Sequence, residues 1–164
     1  MTILDNIYIA QISMPDNPLQ VYQPCMVSEF LVYHGRSDSS LSSTKNEEGD
    51  VLLELWTALV TLHPQAILAG WKLSSLTLPL LVKRSIRLGV PIPPQFKADP
   101  EMRYSNVRTM DVCRIYTQSS GAYLPHELTL EKALEEWGVD IDPARERQLG
   151  LAVAQYQLLE RYYA

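Results

Sequence analysis

The sequence contains few of the side chains that build reactive centres or metal sites. It has two cysteines and three histidines among 164 residues. Cys25 and Cys113 lie far apart, so we expect both to be reduced, buried residues rather than a disulfide or a metal pair. His34, His63 and His126 show neither HxxxH nor HxH spacing, which argues against a zinc site. No GxSxG, GxGxxG, CxxC or phosphate-loop motif occurs, so these common catalytic and nucleotide-binding signatures are missing.

Long apolar runs are missing as well. No stretch approaches the roughly 20 apolar residues that a membrane-spanning helix needs. The start, "MTILDNIYIA", lacks the basic residues and the long apolar centre of a signal peptide. We therefore expect a cytoplasmic protein with no membrane partner. The apolar fraction of 46% and the charged fraction of 20% are ordinary for a globular protein, and the length suits a single domain over residues 1–164.

The net charge of −5 is distributed unevenly along the chain. Residues 83–114 carry seven Lys or Arg against three Asp or Glu, a net charge of +4, and the segments on either side are acidic. A basic segment within an acidic protein is a candidate site for an anionic partner such as nucleic acid. Lys83, Arg84 and Arg87 fall on a predicted helix in this segment. The alternative is that they form only the solvated face of that helix.

Strand and helix patterns alternate along the chain. The run "AILAGW" is wholly apolar, as expected of a central strand buried on both faces. Pro79 is tolerated in a first helical turn, and Gly89 is suited to end that helix in a left-handed conformation. Residues 36–50 are rich in serine and charge, which predicts a flexible loop or a hairpin tip. We predict strands near 7–14, 25–34 and 66–71, and long helices over 51–62, 78–88 and 144–162. This order indicates an α/β or α+β fold with a mixed sheet.

The carboxylates are plentiful but dispersed. Hydrolysis through two metal ions needs clustered carboxylates, because Mg²⁺ prefers oxygen ligands. The 19 Asp and Glu residues fall mostly on predicted loops and helix faces, with Glu29 as the exception inside a strand. We interpret most of them as solvated charge and keep Asp111 as a candidate site residue. The residues by themselves therefore lead to an α/β domain with a basic middle segment.

Several stretches nevertheless occur in an order typical of one family. "EEGDVLLELWTALVTLHPQAILAGW" corresponds to an acidic helix and the strand after it, "WKLSSLTLPLL" to a turn of the type "NGxxFDxPxL", and "RYSNVRTMDVCRIY" to a "Y..HxDLM" segment. The helices over 128–139 and 153–163 follow, and "IYIAQISMPD" aligns with a first-strand motif "DIETxPD". In these features residues 47–163 resemble the predicted 3′–5′ exonucleases related to the proofreading domain of family-B DNA polymerases. The resemblance implies a ribonuclease-H-like mixed sheet flanked by helices on both sides.

The resemblance also implies where catalytic carboxylates belong. The family binds two metal ions through four carboxylates, and in this sequence those positions are Ala10, Ile12, Thr77 and Leu151. Such side chains cannot hold two divalent ions. The resemblance therefore implies a degenerate 3′–5′ exonuclease with vestigial catalytic positions and no metal cofactor. Thr77 is equally suited to cap the helix that follows it.

Two further residues belong to the same alignment. Lys72 replaces the asparagine of the turn motif, where its ammonium would supply part of the positive charge that faces a phosphate. The alternative is that Lys72 points to solvent. Asp111 matches a family aspartate that is not one of the four metal ligands, which makes it a candidate residual acid. We expect the vestigial positions to converge at one end of the central strands, in a shallow, partly apolar hollow bordered by Lys72 and the helix over 78–88.

Three functions remain open at this point. The first is a degenerate exonuclease-like domain retained for binding, either to nucleic acid through Lys72, Lys83, Arg84 and Arg87 or to a protein. Another is an interaction subunit with no nucleic-acid role, suggested by the tyrosine-rich end "QYQLLERYYA".

The remaining function is that of an active nuclease with relocated carboxylates. In that case Asp111 is joined by Asp5, Asp16 or Glu29, and Mg²⁺ or Mn²⁺ is the cofactor. Carboxylates can move between neighbouring strands in evolution, but this hypothesis needs four simultaneous losses to be compensated.

Overall fold

The computed structural model of the chain describes residues 2–13, 27–97, 108–120 and 129–164. Five strands within these ranges form one sheet: β1 (Ile7–Ser13), β2 (Glu29–His34), β3 (Ser39–Ser42), β4 (Ile67–Gly70) and β5 (Arg108–Asp111). The strands predicted near 7–14 and 66–71 are confirmed as β1 and β4. The second predicted strand begins later than expected, at Glu29, and Cys25 lies outside the described residues.

The strand order is β3-β2-β1-β4-β5. β2 runs antiparallel to β1 and β3, whereas β4 runs parallel to β1 and β5. β4 therefore lies between two strands, and all four of its residues are buried, as its wholly apolar sequence predicts. The parallel neighbours β1 and β4 need a crossover connection. The chain makes it through helix α1 (Glu48–Val60), which precedes β4.

The segment 36–50 contains part of a hairpin, which is one of the two alternatives predicted from its composition, rather than a loop throughout. It contains β3, which pairs with β2 as one arm of a hairpin, and it ends within the first turn of α1. All four residues of β3 are exposed, so no apolar face marks this strand in the sequence. The assignment is corrected to a hairpin arm, a short connection and a helix start, and the flexibility of the segment stays a prediction.

Five α-helices in the described part of the chain accompany the sheet: α1 (Glu48–Val60), α2 (Leu78–Leu88), α3 (Val112–Ser120), α4 (Leu130–Glu136) and α5 (Arg147–Tyr162). The helix predicted over 78–88 is confirmed with those bounds. Pro79 enters its first turn, and Gly89 ends it in the left-handed region with a φ of 69°. Thr129 caps α4, since its hydroxyl oxygen accepts a hydrogen bond from the backbone N–H of Lys132 at 3.3 Å.

The sheet has a core on each face. One core joins β1 and β4 to α4 and α5, and the other joins the same strands to α1 and α2. The predicted mixed sheet with helices on both sides is therefore confirmed. None of the helices in the described ranges combines the length and the hydropathy required to cross a membrane.

Arg84 lies between α1 and α2 rather than on the exposed face of α2. Its Nε and Nη2 donate to the two carboxylate oxygens of Glu48 at 2.5 and 2.7 Å, and the side chains are only 11% and 7% exposed. Beside this pair, Trp56 Nε1 donates to Ser85 Oγ at 2.9 Å. The assignment of Arg84 to a nucleic-acid-binding face is corrected for this reason: its charge neutralises a buried carboxylate.

Replacement of Arg84 by Ala tests this structural role. Glu48 would keep a buried charge without its partner, so we expect the free energy of unfolding to fall by about 3–5 kcal/mol. The matched control is Lys83→Ala on the exposed side of α2, which should change it by less than about 0.5 kcal/mol. Urea unfolding measures both values, and equal losses for the two variants would show that the ion pair does not support the fold.

Candidate functional site

Three parallel strands end at one side of the sheet, here called the carboxyl edge. Gly70 of β4 pairs with Asp111 of β5, and Ala69 pairs with Ile9 of β1, so Ala10, Gly70 and Asp111 lie side by side. Open α/β sheets bind their ligands at such an edge. Gly70 allows a close approach there, because a Cβ at this position would lie 2.8 Å from the carbonyl oxygen of Ala10.

A π-helical turn, Leu73–Thr77, leads from β4 into α2. Lys72 precedes this π-turn in the left-handed conformation with a φ of 53°, which is uncommon for a residue other than glycine. The backbone N–H groups of Leu76 and Thr77 both donate to the carbonyl oxygen of Lys72 at 3.0 Å. Thr77 makes no side-chain capping bond. Because single π-turns and left-handed residues recur at functional sites, the π-turn is a candidate site by its geometry as well.

Asp111 holds the π-turn against the end of β5. Its Oδ1 accepts hydrogen bonds from the backbone N–H groups of Lys72 and Cys113, both at 3.0 Å. Its Oδ2 accepts bonds from the hydroxyls of Ser75 at 3.1 Å and Ser74 at 3.4 Å. The residue is 9% exposed. A carboxylate with this many protein donors has little acceptor capacity left, so the role that the structure gives to Asp111 is structural.

Charges at the carboxyl edge act on the thiol of Cys113. Burial raises the pKa of the Cys113 thiol, the Asp111 carboxylate raises it further, and the Lys72 ammonium lowers it. Lys72 therefore lies close enough to act on the end of β5, and its side chain is half-buried. A thiol with a raised pKa is a poor nucleophile at neutral pH, so Cys113 is a packing residue.

The four vestigial positions do not share one face of the sheet. Ala10 and Ile12 pack into the core with α1 and α2, together with Leu73 of the π-turn. Thr77 is half-buried at the end of the same turn. Leu151 on α5 is buried in the core on the opposite face. The structure thus brings the first three positions to one side and leaves Leu151 on the other.

An amide pair joins α5 to β1 one residue beyond Ala10. Gln155 Nε2 donates to Gln11 Oε1 at 2.8 Å and to the carbonyl oxygen of Leu151 at 3.4 Å. Gln155 is fully buried, and among the described residues its Oε1 has no hydrogen-bond partner. Our sequence analysis missed this pair. The available signal was a glutamine in an apolar strand, and a second glutamine one turn after Leu151 on the buried side of α5.

Two of the other acids considered for a relocated metal site, Asp5 and Glu29, lie far from Asp111. Asp5 precedes β1, whose seven residues span about 20 Å, so it lies at the opposite side of the sheet. Glu29 accepts a bond from Ser13 at the carboxyl edge, but β2 and β5 are three strand spacings apart, about 14 Å. Asp16 lies outside the described residues. Within the described ranges, no group of three or more His, Cys, Asp or Glu side chains is placed to hold a metal ion.

Three of the predicted binding residues remain available as cations, one at the carboxyl edge and two on α2. Lys72 lies beside the π-turn, and Lys83 and Arg87 are exposed on α2, one turn apart. With a rise of about 1.5 Å per residue, Arg87 lies about 14 Å along α2 from its first residue. We call Lys72, Lys83 and Arg87 the basic strip. It contains one cation fewer than the sequence predicts, because Arg84 is directed inward to Glu48.

The tyrosine-rich end is divided between the core and the surface. Tyr156 is buried, and its hydroxyl donates to the carbonyl oxygen of Leu4 at 3.2 Å. Tyr162 and Tyr163 are 45% and 37% exposed, and their rings meet edge to face. Of these three residues, Tyr162 and Tyr163 are exposed enough to contact a partner, and Tyr156 is not.

The substitution Asp111→Asn tests the structural role of the carboxylate. One oxygen becomes an NH₂ group that faces N–H or O–H donors, so we expect the free energy of unfolding to fall by about 1–3 kcal/mol. We also expect faster hydrogen exchange at the Lys72 amide. The exposed Asp140→Asn is the control, with an expected change below about 0.5 kcal/mol. An Asp111→Asn protein as stable as this control would mean that other contacts hold the π-turn.

No protein-family model and no curated protein matches the sequence. Solved structures do match, among them the family B DNA polymerase from the hyperthermophilic archaeon Pyrobaculum calidifontis, with a TM-score of 0.58 and 16% sequence identity. The match covers 96% of this chain and 22% of the polymerase chain, so this chain spans about a fifth of that protein's length. At this identity the likeness shows the fold: the chain has a mixed α/β, ribonuclease-H-like fold similar to part of a family B DNA polymerase.

Proposed function

We propose that this chain is an exonuclease-like domain that no longer cleaves nucleic acid and is retained to bind it. The observation that carries the proposal is the state of the carboxyl edge. The carboxylate of Asp111 at this edge already accepts hydrogen bonds from the backbone N–H groups of Lys72 and Cys113 and from the hydroxyl of Ser75. Around it, Ala10, Thr77 and the pair of Gln11 and Gln155 are uncharged.

The chemistry of a two-metal nuclease explains why this state matters. Two divalent ions about 4 Å apart need several carboxylates to offset their charge and to complete their oxygen coordination. A methyl group, a hydroxyl and a neutral amide pair supply no such charge. Carboxylates clustered without metal also repel one another, whereas the neutral amides of Gln155 and Gln11 join α5 to β1 through a hydrogen bond of 2.8 Å.

A cleavage assay tests the loss of catalysis. We expect labelled single-stranded and double-stranded DNA and RNA to remain intact with Mg²⁺ or Mn²⁺, because the described residues of the carboxyl edge include no set of metal-binding carboxylates. We also expect the melting temperature to be unchanged by either ion, since an ion that binds only the folded state would raise it. Trimming that requires the protein and stops on addition of EDTA would refute the proposal.

That contrary result would support the active-nuclease alternative. In it, Asp111 would have to give up its bonds to Lys72 and Cys113 and meet an acid such as Glu29 across about 14 Å. A cleavage activity abolished by Asp111→Asn and Glu29→Gln, but not by Asp140→Asn, would identify the relocated site.

The binding half of the proposal rests on the basic strip. Lys72 lies at the edge where ligands of such sheets bind, and Lys83 and Arg87 extend the positive charge along α2. Nucleic-acid backbones are recognised first through their phosphates, and each neutralised phosphate releases counterions. A strip of three cations in a protein of net charge −5 supports weak, salt-dependent binding rather than tight sequence readout.

The double substitution Lys83→Glu/Arg87→Glu tests this binding. We expect the dissociation constant for DNA or RNA at low salt to rise about tenfold or more, and the slope of log K against log salt to fall by about two, one per lost phosphate contact. The charge-matched control is Lys132→Glu/Arg147→Glu on α4 and α5, where the residues are also exposed. Equal weakening by both double variants would indicate a net-charge effect. No binding by the parent protein at low salt would favour the interaction subunit.

A further inference from the structure

The stretch from α2 to the short turn after it carries positive charge only. Residues 78–97 contain four Lys or Arg and no Asp or Glu. One of the four, Arg84, is directed inward to Glu48. Lys83, Arg87 and Lys97 are exposed, and their charges are available to a partner because the ion pairs within the described residues use other cations, namely Arg36, Arg84, Arg145 and Arg147.

An apolar cavity, here called the α2 cavity, lies between α2 and the residues that follow it. Its volume is about 450 Å³. Ile86 is 70% exposed at its rim, whereas four other apolar side chains of the lining pack against the core between the sheet, α1 and α2. The cavity therefore has an apolar floor beside a large apolar side chain that stands in solvent. Its lining consists of Val82, Ile86, Val90, Pro91, Ile92, Phe96 and Lys97.

The backbone holds the wall of the α2 cavity in place. Gly89 ends α2 in the left-handed conformation with a φ of 69° and turns the chain out of the helix. Three of the next residues, "VPIPP", are prolines, whose rings fix φ. The Phe96 ring then packs on the Trp56 ring with the centroids 5.0 Å apart. A preformed cavity binds a partner without the entropic cost of ordering its own wall.

The available cations lie next to the exposed Ile86. Residues three or four positions apart are neighbours on a helix surface, so Lys83 lies beside Ile86, one turn before it. Arg87 follows Ile86 directly, and Lys97 lines the cavity itself. An apolar binding position is therefore accompanied by three positive charges, and residues 78–97 place no carboxylate near it.

We propose that the α2 cavity binds a segment of another protein in which a large apolar side chain is flanked by Asp or Glu residues. The apolar side chain enters the cavity and covers Ile86, which removes apolar surface from water. The carboxylates lie opposite Lys83, Arg87 and Lys97, where the opposite charges orient the segment and speed its association. This inference does not depend on the proposed binding of nucleic acid, since it requires neither Lys72 nor a phosphate.

The combination of charge and apolar surface favours a protein over other anionic partners. A nucleic-acid backbone would neutralise Lys83 and Arg87 but would leave Ile86 beside a row of phosphates. A membrane surface takes up apolar side chains that project from an amphipathic face, whereas most of those here form the floor of a cavity. A peptide with one apolar anchor supplies both kinds of contact. Because Lys83 and Arg87 also belong to the basic strip, such a peptide should compete with nucleic acid.

Selection from a phage library of random peptides tests the proposal without assuming a particular partner. We expect peptides with an apolar residue flanked by Asp or Glu to be enriched on the parent chain and not on the double variant Ile86→Gln/Lys97→Glu. The enriched peptide is then labelled and titrated by fluorescence anisotropy. The single substitutions Ile86→Gln and Lys97→Glu should each raise its dissociation constant about tenfold or more, because one removes the apolar contact and the other reverses a charge.

Leu53→Gln and Lys132→Glu are the matched controls. Leu53 is 50% exposed on α1, and Lys132 is exposed on α4, and neither lines the α2 cavity. Each should change the dissociation constant by less than about twofold, a difference of about 0.4 kcal/mol. Circular dichroism checks that all the variants are folded.

Several results would overturn the proposal. One is the absence of any peptide that is enriched on the parent chain over the double variant, and another is an enriched sequence without acidic residues. Equal weakening by the control variants would show that the peptide does not bind at the α2 cavity. If no acidic peptide binds and Ile86→Gln instead weakens the binding of single-stranded DNA, RNA or anionic lipid vesicles, the cavity belongs to that ligand.

Discussion

The carboxyl edge depends on the carboxylate of Asp111. It is the point at which the end of β5, the π-turn and the start of α3 are joined, through two backbone N–H groups and two serine hydroxyls. Without an acceptor at this place, the left-handed backbone of Lys72 would carry a strained conformation and an unsatisfied N–H. Asp111 therefore has a structural role that does not depend on catalysis. Because its oxygens are already hydrogen-bonded, its presence at this edge is weak support for a catalytic role.

The parts of the fold that local sequence determines were predicted well. The strand β4 is recognisable because a strand buried on both faces must be wholly apolar, and the bounds of α2 follow from Pro79 and Gly89. β3 was missed because an exposed edge strand needs no apolar pattern, and its pairing with β2 is a tertiary contact. The inward direction of Arg84 was missed for a related reason: only its contact with Glu48, 36 residues away in sequence, distinguishes it from a solvated helix cation.

The candidate site was predictable only in part. Which side chains come together depends on the face of the sheet to which each strand residue points, and the sequence alone does not give that face. The sequence resemblance identifies the π-turn and the absence of metal-binding side chains near it. It does not reveal that α5 reaches β1 through Gln155 and Gln11, on the side away from Ala10 and Ile12. A one-residue change in strand register transfers every side chain to the other face. An alignment of low identity therefore identifies the strand more reliably than it identifies the individual residues that would bind a metal ion. The buried Gln155 Oε1 without a partner among the described residues marks the amide pair as the least satisfied polar contact of this region.

Only part of the positive charge that the sequence places on α2 is available at the surface. Arg84 is neutralised by Glu48, and what remains on α2 is the exposed pair of Lys83 and Arg87. The basic strip of a single copy therefore makes few phosphate contacts, so its affinity is low and the slope of log K against log salt is shallow.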